Sequence, residues 1–107
     1  MASSKEYLNF ILEKLSGLEE ISYRKMMGEY IIYYRGKVIG GIYDDRFLIK
    51  PVKVAVKNIP DGVYEKPYEG AKEMLLIDFD NVGDEQFLIK LFKAMYKELP
   101  EAKKGKA

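Results

Sequence analysis

Three short runs of β-branched and aromatic residues, separated by two-residue turns, dominate residues 29–50. The runs are Glu29 to Tyr34, Lys37 to Tyr43 and Arg46 to Lys50, and the turns are Arg35-Gly36 and Asp44-Asp45. Runs of this length and composition favour β-strands. Because two-residue connections are typical of hairpins, the sequence predicts a three-stranded antiparallel meander. A further strand-like run over 21–23 precedes it, with a bulge or bend at Gly28.

Amphipathic segments on either side complete the predicted fold. Residues 4–16 repeat apolar side chains at helical spacing behind a capping box formed by Ser3 and Glu6. A second helical stripe runs from Phe87 to Tyr96, with N-cap candidates over 81–84. Between them the sequence predicts a short helix over 52–59, a loop over 61–72 and a strand over 73–78.

The predicted fold class is therefore α+β. We expect a two-layer α/β sandwich in which an antiparallel sheet is flanked by amino-terminal and carboxy-terminal helices. The length of 107 residues fits one domain. That predicted domain spans residues 1–107, and 101–107 are expected to form a flexible tail.

Composition excludes several classes of function. The chain has no Cys and no His, which excludes thiol chemistry, Cys/His zinc sites and a histidine base. A formal charge of +1 supplies no overall attraction to nucleic acid or anionic lipid. Asp44 and Asp45 offer too few oxygens for a cation site. We expect a cytoplasmic protein without catalytic residues, metal or cofactor, and without a signal peptide or membrane contact.

Alternation along the predicted meander divides its residues between two faces. With both turns counted as two-residue loops, one face has no charge and is predicted to be the core. It holds Ile31, Tyr33, Val38, Gly40, Ile42, Phe47 and Ile49. The other face is mixed and holds Tyr30, Ile32, Tyr34, Lys37, Ile39, Gly41, Tyr43, Arg46, Leu48 and Lys50. Such a face is too apolar to be simply solvated, and it is typical of an interaction surface.

Seven residues of this mixed face are the predicted partner-binding residues: Tyr30, Tyr34, Lys37, Tyr43, Arg46, Leu48 and Lys50. The favoured partner is a protein, including a second copy of the chain. Tyrosines among cations are also typical of a single-strand nucleic-acid platform, which is an alternative. A small-molecule binding module is a further alternative, although no convergent polar groups indicate a pocket.

Two features of the mixed face have a purely structural explanation as well. The 61–72 loop or the carboxy-terminal segment could cover the face, which would leave no surface for a partner. Gly40-Gly41 either makes room for the residues opposite on the neighbouring strand or admits a ligand close to the backbone. The structural explanation is favoured for the glycines, because interior strand glycines usually reflect bulges or packing.

Several segments carry a resemblance to a known family. They are Tyr23-Arg-Lys-Met-Met-Gly-Glu-Tyr30, the Tyr-Tyr-Arg-Gly turn, Ile42-Tyr-Asp-Asp-Arg-Phe-Leu-Ile-Lys-Pro51, Tyr68-Glu-Gly-Ala-Lys-Glu-Met-Leu75 and the closing helix. In this order and spacing the chain resembles the amino-terminal domain of the TfoX/Sxy family, regulators of bacterial competence genes. The resemblance implies a two-layer fold similar to secretion-chaperone-like domains. It also implies a role in regulation or protein contact rather than catalysis.

The family motif consists of Arg24, Lys25, Met26, Met27, Gly28, Glu29 and Tyr30. One interpretation is a bent strand whose methionines fill gaps in the core and whose glycine supplies unusual backbone geometry. The other is a partner-binding edge, where Met and Arg are favoured contact types. The sequence favours the first interpretation. Full-length competence regulators of the family carry a second, carboxy-terminal domain, and this chain resembles the stand-alone members.

Overall fold

A computed structural model describes residues 4–78 and 85–99 of the chain. The helices of these residues are α1 (Lys5–Lys14), α2 (Lys53–Asn58) and α3 (Glu85–Met95), and a 3₁₀-helix at Tyr96–Glu98 follows α3. The strands are β1 (Ile21–Met26), β2 (Glu29–Tyr34), β3 (Lys37–Tyr43), β4 (Arg46–Ile49), β5 (Tyr64–Glu65) and β6 (Met74–Leu76). The predicted N-cap candidates over 81–84 and the tail over 101–107 lie outside the described residues.

The strands form one antiparallel sheet in the order β1-β2-β3-β4-β6-β5. All three α-helices contribute buried apolar residues to a core that they share with the sheet. Phe92 of α3 and Phe47 of β4 meet there, with ring centroids 6.1 Å apart. The predicted α+β class, an antiparallel sheet with flanking helices, is confirmed.

Three two-residue turns connect β1 to β4, and all their residues have positive φ. The angles are 53° and 85° at Met27 and Gly28, 53° and 85° at Arg35 and Gly36, and 54° and 58° at Asp44 and Asp45. Two successive left-handed residues define the type I′ turn, which matches the twist of the flanking strands. Both predicted turns are confirmed. Gly28, predicted as a bulge or bend, belongs to a third turn.

The amino terminus of α1 is attached to the β3–β4 turn. The Oγ of Ser4 accepts a hydrogen bond from the backbone N–H of Tyr7 at 3.1 Å, so the N-cap is Ser4 rather than the predicted Ser3. The backbone N–H of Ser4 donates to Asp45 Oδ1 at 2.8 Å. The acidic turn residue therefore anchors the start of the helix, which the sequence alone did not indicate.

The β2–β3 pairing contains a register shift that the predicted meander lacks. Tyr33 pairs with Val38 as expected, but Ile32 pairs with Gly40, so Ile39 is an extra residue in β3. An extra residue of this kind is a β-bulge. Because side chains alternate between faces, a slip of one residue moves a strand's side chains to the opposite face.

The bulge overturns the predicted division of faces for β2 and for the start of β3. The side of the sheet that packs on the helices includes Tyr30, Ile32, Tyr34, Lys37, Ile39, Ile42, Phe47 and Ile49. The opposite side, called the outer face below, is formed in β1–β4 by Ser22, Arg24, Met26, Glu29, Ile31, Tyr33, Val38, Gly41, Tyr43, Arg46 and Leu48. The prediction that Ile31, Tyr33 and Val38 belong to the core face is wrong.

Gly40 allows β4 to approach β3 closely. A Cβ at this position would lie 2.8 Å from the Cα of Ile49 and would also meet the backbone carbonyl of Leu48. A Cβ at Gly41 would lie 2.6 Å from the Tyr43 ring and 2.8 Å from the carbonyl oxygen of Tyr30. Close packing therefore explains both glycines, as the structural interpretation held, although the neighbour of Gly40 is β4 rather than β2 and Gly41 also makes room for the Tyr43 ring.

Candidate interaction surface

Three of the seven predicted partner-binding residues face the helices. Tyr30 and Tyr34 are buried, and the ring of Tyr34 packs edge-on against Tyr96 at 5.7 Å. The ammonium of Lys37 lies 4.2 Å from the centre of the Tyr96 ring and donates a hydrogen bond to the Tyr96 carbonyl at 3.1 Å. The prediction that Tyr30, Tyr34 and Lys37 share one face with the other four residues is wrong, because the bulge at Ile39 turns them toward the helices.

The segment over 61–72 covers part of the outer face near β4. The guanidinium of Arg46 contacts Glu65 Oε1 at 2.6 Å and donates to the carbonyl of Pro67 at 3.4 Å. The ring of Tyr43 lies 6.3 Å from that of Tyr68. Leu48 has no exposed surface, whereas Lys50 is half-buried. The structural alternative, in which the 61–72 segment covers the face, therefore applies to Tyr43 and Arg46, which this segment contacts.

The other part of the outer face carries an open, mainly apolar groove. We call it the hairpin groove; its volume is about 530 Å³, and it is lined by Met26, Met27, Glu29, Ile31, Tyr43 and Tyr68. Met27 is 97% exposed, Tyr68 is 63% exposed and Met26 is 47% exposed. Contiguous exposed apolar side chains of this size are typical of interaction sites.

Burial affects the titration of one groove residue. It raises the pKa of Tyr43, and the nearby Tyr68, Glu29 and Tyr33 add to the rise. Among the residues that the structure describes, Glu29 is the charged one that lines the groove, and its Oε1 accepts a hydrogen bond from the backbone N–H of Asp44 at 3.1 Å. This bond connects the β1–β2 hairpin to the β3–β4 turn and holds one wall of the groove in place.

Met27 is unusual both in its backbone conformation and in its exposure to solvent. Its φ of 53° lies in the left-handed region, where Asn, Asp and Gly are favoured over long side chains. It is also a large apolar side chain with almost complete exposure to solvent. Residues that conflict with both local conformation and burial are expected at functional sites.

The family motif spans the end of β1, the turn and the start of β2. Met26 and Met27 are exposed, so the favoured interpretation, in which these methionines fill the core, is wrong. Arg24 and Lys25 are exposed on β1 as well. Of the motif residues, only Tyr30 was also a predicted partner-binding residue. Ile31 and Tyr68 were not predicted, because their positions beside Met27 depend on the bulge and on the fold of the 61–72 segment.

No helix in 4–78 or 85–99 is long and apolar enough to cross a membrane. Within the same ranges, no three acidic residues are grouped so that they could hold a metal ion. The tyrosine and cation platform on which the nucleic-acid prediction depended is not formed, since Tyr30, Tyr34 and Lys37 point to the helices. Nucleic-acid binding itself stays an untested prediction.

Comparison with known proteins finds similarity to an uncharacterised protein. The chain is 29% identical over 107 residues to a protein of Spirochaeta aurantia described as "Uncharacterized 12.7 kDa protein in trpE 5'region". The match covers all of this chain and 92% of that protein. No protein-family model and no solved structure matches the chain.

Proposed function

We propose that this protein is a non-enzymatic, TfoX-like regulatory domain that binds another protein through the hairpin groove. The observation that carries the proposal is Met27, a fully exposed apolar side chain on a strained turn beside an apolar groove. The motif that resembles the TfoX/Sxy family, Arg24 to Tyr30, surrounds this residue. A role linked to competence or transcriptional regulation rests on that resemblance.

The chemistry of the groove indicates what the partner presents. Apart from Glu29, its walls are methionine, isoleucine and tyrosine side chains, so we expect the matching surface to consist mainly of apolar side chains from a protein segment. Full burial of one Met side chain contributes roughly 1.5–3 kcal/mol. The chain's own 61–72 segment packs on the adjoining part of the outer face through Tyr68 and Glu65, which supports a protein segment as the occupant of the groove.

A photo-crosslinking side chain at position 27 identifies the partner. The control places the same group at Lys57, an exposed residue of α2. We expect one cellular protein to crosslink from position 27 and not from position 57. Binding of that purified protein is then measured by titration calorimetry. A titration without binding would contradict the proposal.

Met27→Asn separates binding from stability. Asparagine suits the left-handed turn position, so we expect the free energy of unfolding to rise by roughly 0.5–1 kcal/mol. The partner's affinity should fall by at least about tenfold, because the apolar contact is lost. Urea unfolding and calorimetry measure the two effects, and loss of binding in a more stable protein cannot be attributed to unfolding.

Arg35→Asn is the matched control, since Arg35 occupies the same position of a second Xaa-Gly type I′ turn. It removes the exposed contact with Glu20 and the stacking of the guanidinium on Tyr96, so its gain in stability should be smaller. The affinity for the partner should not change. Equal affinities for Met27→Asn and the wild type would refute the proposed site.

A further inference from the structure

The two edges of the sheet differ in length. β5 forms one edge and has two residues, whereas β1 forms the other and has six. In the part of the chain that the structure describes, β1 pairs with β2 on one side and with no strand on the other. A long free edge is a template for another strand, and natural proteins normally shorten, cover or charge such edges.

The backbone groups that point to this free edge follow from the hairpin geometry. The two-residue turn makes Met26 and Glu29 the first pair of the ladder, and the backbone N–H of Arg35 donates to the carbonyl of Glu20 at 2.9 Å at the other end. Alternate residues of an antiparallel strand direct their N–H and C=O groups to opposite sides. The groups of Ile21, Tyr23 and Lys25 therefore point away from β2.

Charge is distributed unevenly along this edge. Glu19 and Glu20 precede β1, Arg24 and Lys25 lie near its end, and all four are exposed. The carboxylate of Glu20 also contacts Arg35 on the surface, with both side chains more than half exposed. An antiparallel arrangement of two β1 strands sets the basic end of one beside the acidic end of the other. A parallel arrangement would instead bring like charges together.

We propose that two copies of this chain pair antiparallel along β1, so that their sheets become one continuous sheet. A two-fold interface must be self-complementary, and an edge that runs from acidic to basic meets this condition. The apolar residues Ile21 and Tyr23 lie between the charged ends, and Tyr23 is 45% exposed before pairing. Met26 at the end of β1 also lines the hairpin groove, but the pairing uses the backbone edge of β1 and does not depend on the proposed function.

Charge exchange between two variants tests the pairing. R24E/K25E makes both ends of the edge acidic, and E19K/E20K makes both ends basic. Sedimentation equilibrium should find the wild type dimeric and each variant monomeric, with dissociation constants raised at least about tenfold by like-charge contacts. An equimolar mixture of the two variants should form a heterodimer.

The control for net charge is K53E/K57E on α2, which changes the net charge as much as R24E/K25E and should stay dimeric.

A second variant blocks the backbone rather than the charges. Tyr23→Pro removes an N–H that points to the free edge and leaves the bonds to β2 in place. It should be monomeric with an unchanged far-ultraviolet circular dichroism spectrum. Met27→Asn should remain dimeric, which distinguishes this interface from the hairpin groove.

A monomeric wild type at high concentration would overturn the proposal, as would folded charge variants that still dimerise or fail to form the heterodimer. Binding of a poly-glutamate peptide by a monomeric wild type would also overturn it, since the edge would then recognise an acidic segment and not a second copy.

Discussion

Gly40→Val is expected to prevent folding. Even a single Cβ at this position would lie 2.8 Å from the Cα of Ile49 and would meet the Leu48 carbonyl, both of which are backbone atoms of β4. Backbone atoms of a paired strand cannot move aside as the end of a flexible side chain can. We expect a loss of more than about 4 kcal/mol in the free energy of unfolding, a large share of the stability of a small domain. Circular dichroism and thermal melting measure the effect.

Gly17→Ala is the control for this prediction. A Cβ at Gly17 would meet the Cδ1 atom of Ile89, the flexible end of a side chain, and Gly17 does not have a positive φ. The change in stability should be below about 1 kcal/mol. If Gly40→Val folds and melts like the wild type, β3 and β4 do not approach each other as described.

Phe92→Ala is the second change with a large expected effect. Phe92 is fully buried on α3, and its ring contacts that of Phe47 on β4. Its removal leaves a cavity between the helix layer and the sheet, which costs about 3–5 kcal/mol. Urea unfolding measures the change, and the melting temperature should fall by at least about 10 °C.

Phe10→Ala provides the comparison for Phe92→Ala. Phe10 lies on α1, is 40% exposed, stacks on Tyr7 at 5.9 Å and lies near Lys14. Its truncation should cost clearly less than that of Phe92, because Phe10 keeps two-fifths of its surface in water and its removal leaves no sealed cavity. Equal losses for the two variants would mean that α3 does not pack on the sheet through Phe92.

Local signals in the sequence were sufficient for most of the elements. Two-residue turns between β-branched runs predicted β2, β3 and β4, because turn conformation and side-chain alternation depend on residues only a few positions apart in the sequence. The helical spacing of apolar residues predicted α1 and α3, and the observed ends of both helices differ slightly from the predicted ones. These features depend on short-range backbone preferences, which a sequence expresses directly.

The division of faces could not be obtained in the same way. In β2, Tyr30, Ile32 and Tyr34 are as apolar as Ile31 and Tyr33, so composition does not show which set is buried. The bulge at Ile39 determines which of these two sets is buried. The adjacent Gly40-Gly41 pair is the sequence feature that could have indicated this bulge. Lys37 was assigned to the wrong face because a lysine is expected to face solvent. Its ammonium instead donates a hydrogen bond to the carbonyl of Tyr96, which is more than fifty residues away in the sequence.

Coverage of the outer face also depends on distant residues. The backbone pairing of β5 with β6 and the contact of Arg46 with Glu65 hold the 61–72 segment on the sheet, and no periodic pattern in that segment indicates this. The short strand β5 lies in the same segment, which the sequence predicted to be a loop. The hairpin groove exists because this cover ends at Tyr68 and leaves Ile31 accessible, and such a boundary is a property of the folded chain.

The central claim is that the outer face of β2 and β3 is open and that the opposite face is sealed by the helices. Because the chain has no cysteine, single substitutions report accessibility directly. Tyr33→Cys and Val38→Cys should react rapidly with a maleimide in the folded protein. Ile32→Cys and Ile39→Cys, at positions with no exposed surface, should react only when the protein is unfolded in urea. The reverse order of reactivity would contradict the face assignment and with it the hairpin groove.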